Sequence, residues 1–129
     1  QAPAASDGTI DLSNERFSIH YTRNVVSTDF GGEPCLLVYY DYTNNGSGAS
    51  SAMVDVNLTA YQNGASLEAA IPANSDSAID AFMKEIQPGE TVNVCQAFSL
   101  KDMSPVTLQA VDAFGLDTSV TAVQTLNLQ

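Results

Sequence analysis

Short runs of alternating apolar and polar residues recur along this chain, and turn signals separate them. An alternation with a period of two is typical of a β-strand that buries one face. The strongest run is 35–43, in which Leu36, Val38, Tyr40 and Tyr42 share one parity. Similar runs cover 16–26, 53–61, 91–100, 106–112 and 120–128, and Asn63-Gly64 suits a type I′ hairpin turn. The pattern predicts an all-β chain.

One segment departs from this alternation. In 71–86, Ile79, Phe82, Met83 and Ile86 follow a helical spacing. We predict one short helical or irregular crossover there, with Ser77 and Asp80 as a weak capping box. The strand spacing favours an immunoglobulin-like sandwich of two sheets with about seven to nine strands. We interpret 1–8 as a flexible leader and 9–129 as the domain.

The charge of the chain narrows the classes of partner. Four Lys and Arg residues stand against 15 Asp and Glu residues, which gives a formal net charge of −11. Such a surface repels phosphates and anionic headgroups, so we expect no nucleic-acid partner and no direct binding to a membrane surface. No apolar run approaches the roughly 20 residues that a membrane helix needs.

The sequence contains no recognisable catalytic or metal-binding set. His20 is the single histidine, no Gly-x-Ser-x-Gly motif accompanies it, and the cysteines lack the spacing of zinc ligands. The Asp-rich pattern of a calcium loop is also absent from the sequence. We therefore predict no catalytic residue, no cofactor and no metal site. A hydrolase that uses two acidic residues, as a glycosidase does, is the alternative, because sequence does not show which carboxylates meet.

The two cysteines, Cys35 and Cys95, lie in predicted strands at the parity that points away from the core. Two such cysteines can bond only if their strands are neighbours in one sheet, because the Cα atoms of a disulfide lie within about 7 Å. We predict an in-sheet disulfide between Cys35 and Cys95.

The outward parity of strands 35–43 and 53–61 mixes apolar and polar residues. If the two strands share a sheet, these residues form a tyrosine-containing binding face. Its predicted members are Leu37, Tyr39, Asp41, Asp55, Asn57 and Tyr61. The alternative is that the 71–86 crossover covers Leu37 and Tyr39, because its apolar residues need a surface to pack on.

Several stretches resemble a family of surface lipoproteins from Gram-positive gut bacteria. They are 32–45 (GEPCLLVYYDYTNN), 61–64 (YQNG), 86–92 (IQPGETV) and 100–106 (LKDMSPV). The resemblance implies a domain of unknown function with an immunoglobulin-like fold. It also implies export to the cell surface and a lipid anchor on a cysteine upstream of Gln1. It carries over no catalytic residue.

These observations together favour a non-catalytic extracellular binding or accessory module. Its expected ligand is a protein or glycan of the cell envelope or of the host, and its expected contact with the membrane is through the anchor alone. A purely structural spacer in the envelope is a further alternative.

Overall fold

A computed structural model of the chain describes residues 10–13, 15–73, 76–112 and 122–128. This part of the chain contains eight strands and two short helices. The elements are β1 (Leu12–Ser13), β2 (Phe17–Thr28), β3 (Pro34–Asn44), α1 (Ala52–Asp55), β4 (Val56–Gln62), β5 (Ala65–Ser66), α2 (Ser77–Ala81), β6 (Thr91–Ser99), β7 (Val106–Asp112) and β8 (Ala122–Leu126). The predicted leader 1–8 lies outside the described residues.

The strands form two antiparallel sheets, with the orders β1-β2-β3-β6 and β5-β4-β7-β8. The predicted two-sheet sandwich of about seven to nine strands is therefore confirmed.

The core lies between the sheets, where most inward-facing residues of the long strands are apolar. Leu36, Val38, Tyr40 and Tyr42 of β3 are all fully buried, as the alternation in 35–43 predicts. The other sheet contributes buried residues of β4, β7 and β8, which are Val56, Leu58, Ala60, Val106, Leu108, Ala110 and Leu126.

A bulge in β2 reverses the parity of that strand. The pairing with β3 shifts between Tyr21 and Arg23, so that Tyr21 lies opposite Tyr40 and Arg23 lies opposite Tyr39. A bulge inserts one residue into the strand and re-aims those that follow. As a result, Arg23 shares the outer face of the sheet with Tyr39.

The hairpin between β4 and β5 matches its sequence signature. Asn63 has a φ of 52° and Gly64 a φ of 84°, and a type I′ turn requires positive φ at both central residues. The antiparallel pairing after the turn is short, because β5 has only two residues.

The predicted strand 53–61 begins too early. Ala52–Asp55 forms the single turn of α1, which begins after Ser51, whose hydroxyl accepts a hydrogen bond from the N–H of Val54. Val54 is consequently 43% exposed, whereas the expected outward residue Asp55 is 3% exposed. The local cap at Ser51 overrides the alternation at this end of the strand.

The crossover 71–86 is only partly helical. The helix α2 spans Ser77–Ala81, and its N-cap is Asp76, so the capping box of Ser77 and Asp80 is wrong. The four predicted stripe residues do not share one helix face, because Met83 is 61% exposed and Ile86 lies beyond α2, in a β-bridge with Ser50.

The predicted disulfide is wrong, because both cysteines are free. Their strands are neighbours, but Cys35 lies opposite Ser99 and Cys95 lies opposite Tyr39. The thiols are thus four positions out of register. At about 3.4 Å per residue this offset exceeds the Cα separation that a disulfide allows.

Candidate binding groove

The six residues of the predicted binding face do not meet. Leu37, Tyr39 and Asp41 belong to β3, whereas Asn57 and Tyr61 belong to β4 in the other sheet. Asp55 is buried in α1. The premise that the two strands share a sheet is therefore wrong, and no single patch joins these residues.

The alternative prediction, in which the crossover covers Leu37 and Tyr39, is confirmed. Leu37 is 7% and Tyr39 3% exposed. They form a second apolar cluster on the outer face of the β2-β3-β6 sheet. Its buried members are Cys35, Leu37, Tyr39, Ala78 and Cys95, and Val25, Ala70, Ile79 and Ala97 pack against them. Asp41 lies outside this cluster, where it accepts a hydrogen bond from the amide of Asn93 at 3.1 Å.

Three side chains fix the crossover to the sheet. The guanidinium carbon of Arg23 lies 3.8 Å from the centroid of the Tyr39 ring. The hydroxyl of Tyr39 donates to Asp76 Oδ2 at 2.8 Å, and the backbone N–H of Ile79 donates to Asp76 Oδ1 at 2.9 Å. Burial acts to raise the pKa of Asp76, but these hydrogen bonds leave it lower than usual. Asp76 therefore both caps α2 and ties it to β3.

Alkaline titration tests this packing of β3. Burial is the main cause that raises the pKa of Tyr39 to about 12, and it raises the pKa values of Tyr40 and Tyr42 further. Burial also raises the pKa of the Cys95 thiol to about 12. The folded state holds these protons more tightly, so their contribution to stability is present at neutral pH and is lost as the pH rises through the folded pKa values. We expect the free energy of unfolding to fall above about pH 9, by up to about 1.4 kcal/mol per pH unit for each group.

The measurement is phenolate absorbance followed beside far-UV circular dichroism. The three tyrosines of β3 are expected to ionise only as the β-sheet signal is lost. The chain in urea serves as the control and should titrate near the ordinary tyrosine value of about 10. Ionisation of these phenols near pH 10 with an intact β-sheet signal would contradict the burial of β3.

An apolar groove opens where the crossover meets β6. Its volume is about 320 Å³. The walls are the segment 69–72 on one side and Ile79, Phe82 and Met83 on the other, and the floor is 95–98 of β6. Among the described lining residues, Gln96 alone has a side-chain amide, and its Oε1 accepts a hydrogen bond from the buried Tyr40 hydroxyl at 2.7 Å.

The rim of the groove exposes large apolar side chains. Ile71 is 74% and Met83 61% exposed. Phe30, which is 82% exposed, adjoins Ile71 because its N–H donates to the Ile71 carbonyl at 2.7 Å. Contiguous exposed apolar surface of this kind marks an interaction site more often than a neutral part of a surface. The helical spacing of Ile79, Phe82 and Met83 signals this wall in the sequence, whereas Ile71 and Ala97 carry no such signal.

A second, polar cavity of about 210 Å³ lies under the loop 46–50. Asp55 borders it and is paired with Arg16, whose Nη2 lies 3.3 Å from Asp55 Oδ1, and with the hydroxyl of Tyr42, which donates to Asp55 Oδ2. Burial, as the main cause, raises the pKa of Tyr42, and the hydrogen bond to Asp55 acts in the same direction. These contacts satisfy Asp55 within the protein, so we interpret the cluster as structural.

Outside these two cavities, the described residues offer few candidates for a catalytic, metal-binding or membrane-spanning feature. His20 Nδ1 lies 2.7 Å from Asp11 Oδ2 on the exposed face of β2. No cluster of three or more His, Cys, Asp or Glu residues that could hold a metal occurs in the described ranges. No helix found there is long and apolar enough to cross a membrane.

Solved structures of proteins from Gram-positive bacteria share this sandwich. A candidate lipoprotein of Staphylococcus aureus has a TM-score of 0.72 at 8% identity, over 92% of this chain and 88% of its own. A protein of Enterococcus faecalis has a TM-score of 0.70 at 18% identity, over 96% and 93%. A candidate lipoprotein of Bacillus subtilis has a TM-score of 0.69 at 11% identity, over 95% of this chain and 39% of its own length. The fold is therefore that of a class of sandwich domains that includes candidate lipoproteins.

The family follows from the sequence match. Residues 1–112 match the model of the domain of unknown function DUF5067, and the chain belongs to this family. No curated protein matches the sequence. These findings confirm the expected domain of unknown function and the lipoprotein relatives in Gram-positive bacteria.

Proposed function

We propose that this domain is a non-catalytic extracellular binding module of a cell-surface lipoprotein, and that its ligand binds in the groove between α2 and β6. Placement at the cell surface through a lipid anchor upstream of Gln1 is part of the proposal. The candidate lipoproteins that share the fold support it.

The observation that carries the proposal is the open apolar groove itself. Its rim leaves Ile71 and Met83 more than half exposed on a chain with a net charge of −11. Ligand pockets are mostly apolar and contain a few polar groups that orient the ligand. The groove has this composition, with the Gln96 side chain on its floor and apolar side chains on both walls.

The contacts of the carboxylates favour a binding module over a hydrolase. Asp76, beside the groove, accepts hydrogen bonds from Tyr39 and Ile79, and Asp55, beside the polar cavity, is paired with Arg16 and Tyr42. A glycosidase needs two carboxyl groups about 5 to 10 Å apart across a cleft. Neither cavity has two carboxylates among its described lining residues.

The dye Nile red, which is apolar and uncharged, tests whether the groove binds ligands. We expect saturable binding at one site, and we expect Met83→Ser to weaken it by about threefold to tenfold because a groove wall loses apolar surface. Met53→Ser is the matched control, since Met53 is also an exposed methionine, at 49%, but does not line the groove. The measurement is dye fluorescence against protein concentration.

Two results would count against the proposal. Equal effects of the two methionine substitutions would place the dye elsewhere on the surface. No saturable binding at all would mean that the groove does not accept ligands in solution, which favours the spacer alternative.

A further inference from the structure

We infer that the ligand of the groove is an extended peptide that pairs with the outer edge of β6 at Cys95 and places one bulky apolar side chain, flanked by basic residues, in the groove. This inference rests on the proposed function and names its ligand class. It is carried by the backbone groups at the edge of β6 and by the charges around the groove.

The backbone of β6 has free hydrogen-bonding groups at the groove floor. The carbonyl of Ala97 accepts from the N–H of Ala70 at 3.0 Å, and the N–H of Ser99 donates to Glu68 at 2.8 Å, so odd-numbered residues of β6 point these groups to the outer edge. Cys95 has the same parity, and the described ranges contain no hydrogen-bond partner for its N–H or carbonyl. In an antiparallel pair, one residue of a neighbouring strand would satisfy both groups.

The chain leaves this edge just before it would reach Cys95. Residues 68–70 run along β6, and the next residues turn towards the β2–β3 hairpin. There Ile71 accepts from Phe30 at 2.7 Å, and the N–H of Ala73 donates to Thr28 at 3.0 Å. The segment that pairs with Ala97 and Ser99 therefore does not extend to Cys95. A short peptide continues the pairing there, in the manner of β-strand addition.

The free N–H and carbonyl of Cys95 favour a peptide over a hydrocarbon chain. A purely apolar ligand would remove both groups from water without replacing their hydrogen bonds, which costs about 1–3 kcal/mol for each group. A peptide supplies a donor and an acceptor at the required spacing. Its residue opposite Cys95 projects its side chain to the same face as the Cys95 side chain, which lines the groove.

The size and charge of the groove indicate which peptide sequences it would bind. A volume of about 320 Å³ is at the lower end of the range of ligand pockets and fits one large side chain. The segment 68–85, which forms both walls, carries Glu68, Asp76, Asp80 and Glu85 against Lys84. Arg23 of β2 adds one cation close to Asp76 and Cys95, so acidic residues remain in excess. Such a surface attracts basic residues on either side of the apolar one.

The test uses the capped peptide acetyl-Lys-Thr-Phe-Thr-Lys-amide and the intact domain, with binding measured by calorimetry and by NMR of backbone amides. We expect the amides of Cys95 and Ala97 to shift on binding. Replacing Phe with Ala in the peptide, or methylating the N–H of Phe, should each weaken binding at least about tenfold. Methylating the N–H of the Thr before Phe is the matched control and should change binding less than about threefold, because alternate residues of a strand point their N–H groups away from the partner.

Each remaining outcome decides between the proposals. Equal loss from the two methylated peptides would overturn pairing at Cys95, and equal binding of a peptide with Glu in place of Lys would overturn the role of charge. If the peptides fail while Nile red binding still depends on Met83, the ligand is apolar but not a peptide, and the proposed function stands. If peptide and dye both fail, the proposed function fails with the inference.

Discussion

Ser99→Cys is expected to form a disulfide with Cys35 in the oxidised protein and to raise the free energy of unfolding by roughly 4 kcal/mol, since it closes a loop of about 60 residues. Cys35 and Ser99 lie directly opposite each other in the β3–β6 pair. The N–H of Ser99 points to the outer edge of the sheet, towards Glu68. The two residues are thus a non-hydrogen-bonded pair, with Cα atoms about 4.5 Å apart, which is within the range of disulfides.

Counting thiols in the unfolded, non-reduced protein checks this register. The native sequence should show two free thiols and Ser99→Cys one, with the rise in melting temperature lost on reduction. Ala97→Cys is the control, because Ala97 lies on the same face but opposite Leu37, two positions away from Cys35. Three free thiols in Ser99→Cys would contradict the pairing of β3 with β6.

Arg16→Leu is expected to lower the free energy of unfolding by about 3 kcal/mol. Arg16 pairs with Asp55, whose side chain is 5% exposed. Removing one partner of a buried pair leaves an uncompensated charge, which costs about 3–5 kcal/mol, and we take the lower end because the Arg16 side chain is 27% exposed. The measurement is chemical denaturation at neutral pH.

Two further variants separate this effect from the loss of a surface charge. Lys84→Leu removes an exposed cation and should change stability by less than about 0.5 kcal/mol. Adding Asp55→Leu to Arg16→Leu should recover much of the loss, because the unpaired carboxylate is then gone. A cost below about 1 kcal/mol for Arg16→Leu would mean that Asp55 is solvated.

Much of the fold was predictable because strand patterning is local. The alternation in 35–43 and 91–100 assigns Leu36, Val38 and Val94 to the core, and Asn63-Gly64 assigns the hairpin. The acidic net charge and the lack of recognisable catalytic motifs were also read directly from the sequence. Errors arose where a local cap competes with the alternation, as at Ser51 before α1.

The groove itself was only partly predictable. The apolar residues Ile79, Phe82 and Met83 show that the crossover must cover a surface, and Leu37 and Tyr39 were recognised as one possible surface. The bulge after Tyr21, which brings Arg23 over Tyr39, and the departure of 71–73 from the edge of β6 depend on contacts between distant segments. No local pattern reports such contacts.

The sequence alone determined which side of β3, β4 and β6 is apolar, and thereby the two-sheet class, because a period of two follows from the geometry of a single strand. Tertiary structure decided which strands are neighbours and in what register. Parity is unchanged by a shift of two or four residues, so it placed Cys35 and Cys95 correctly on one face and could not show that they lie four positions apart. That register leaves both thiols free, and the departure of 71–73 from the edge of β6 opens the groove beside Cys95.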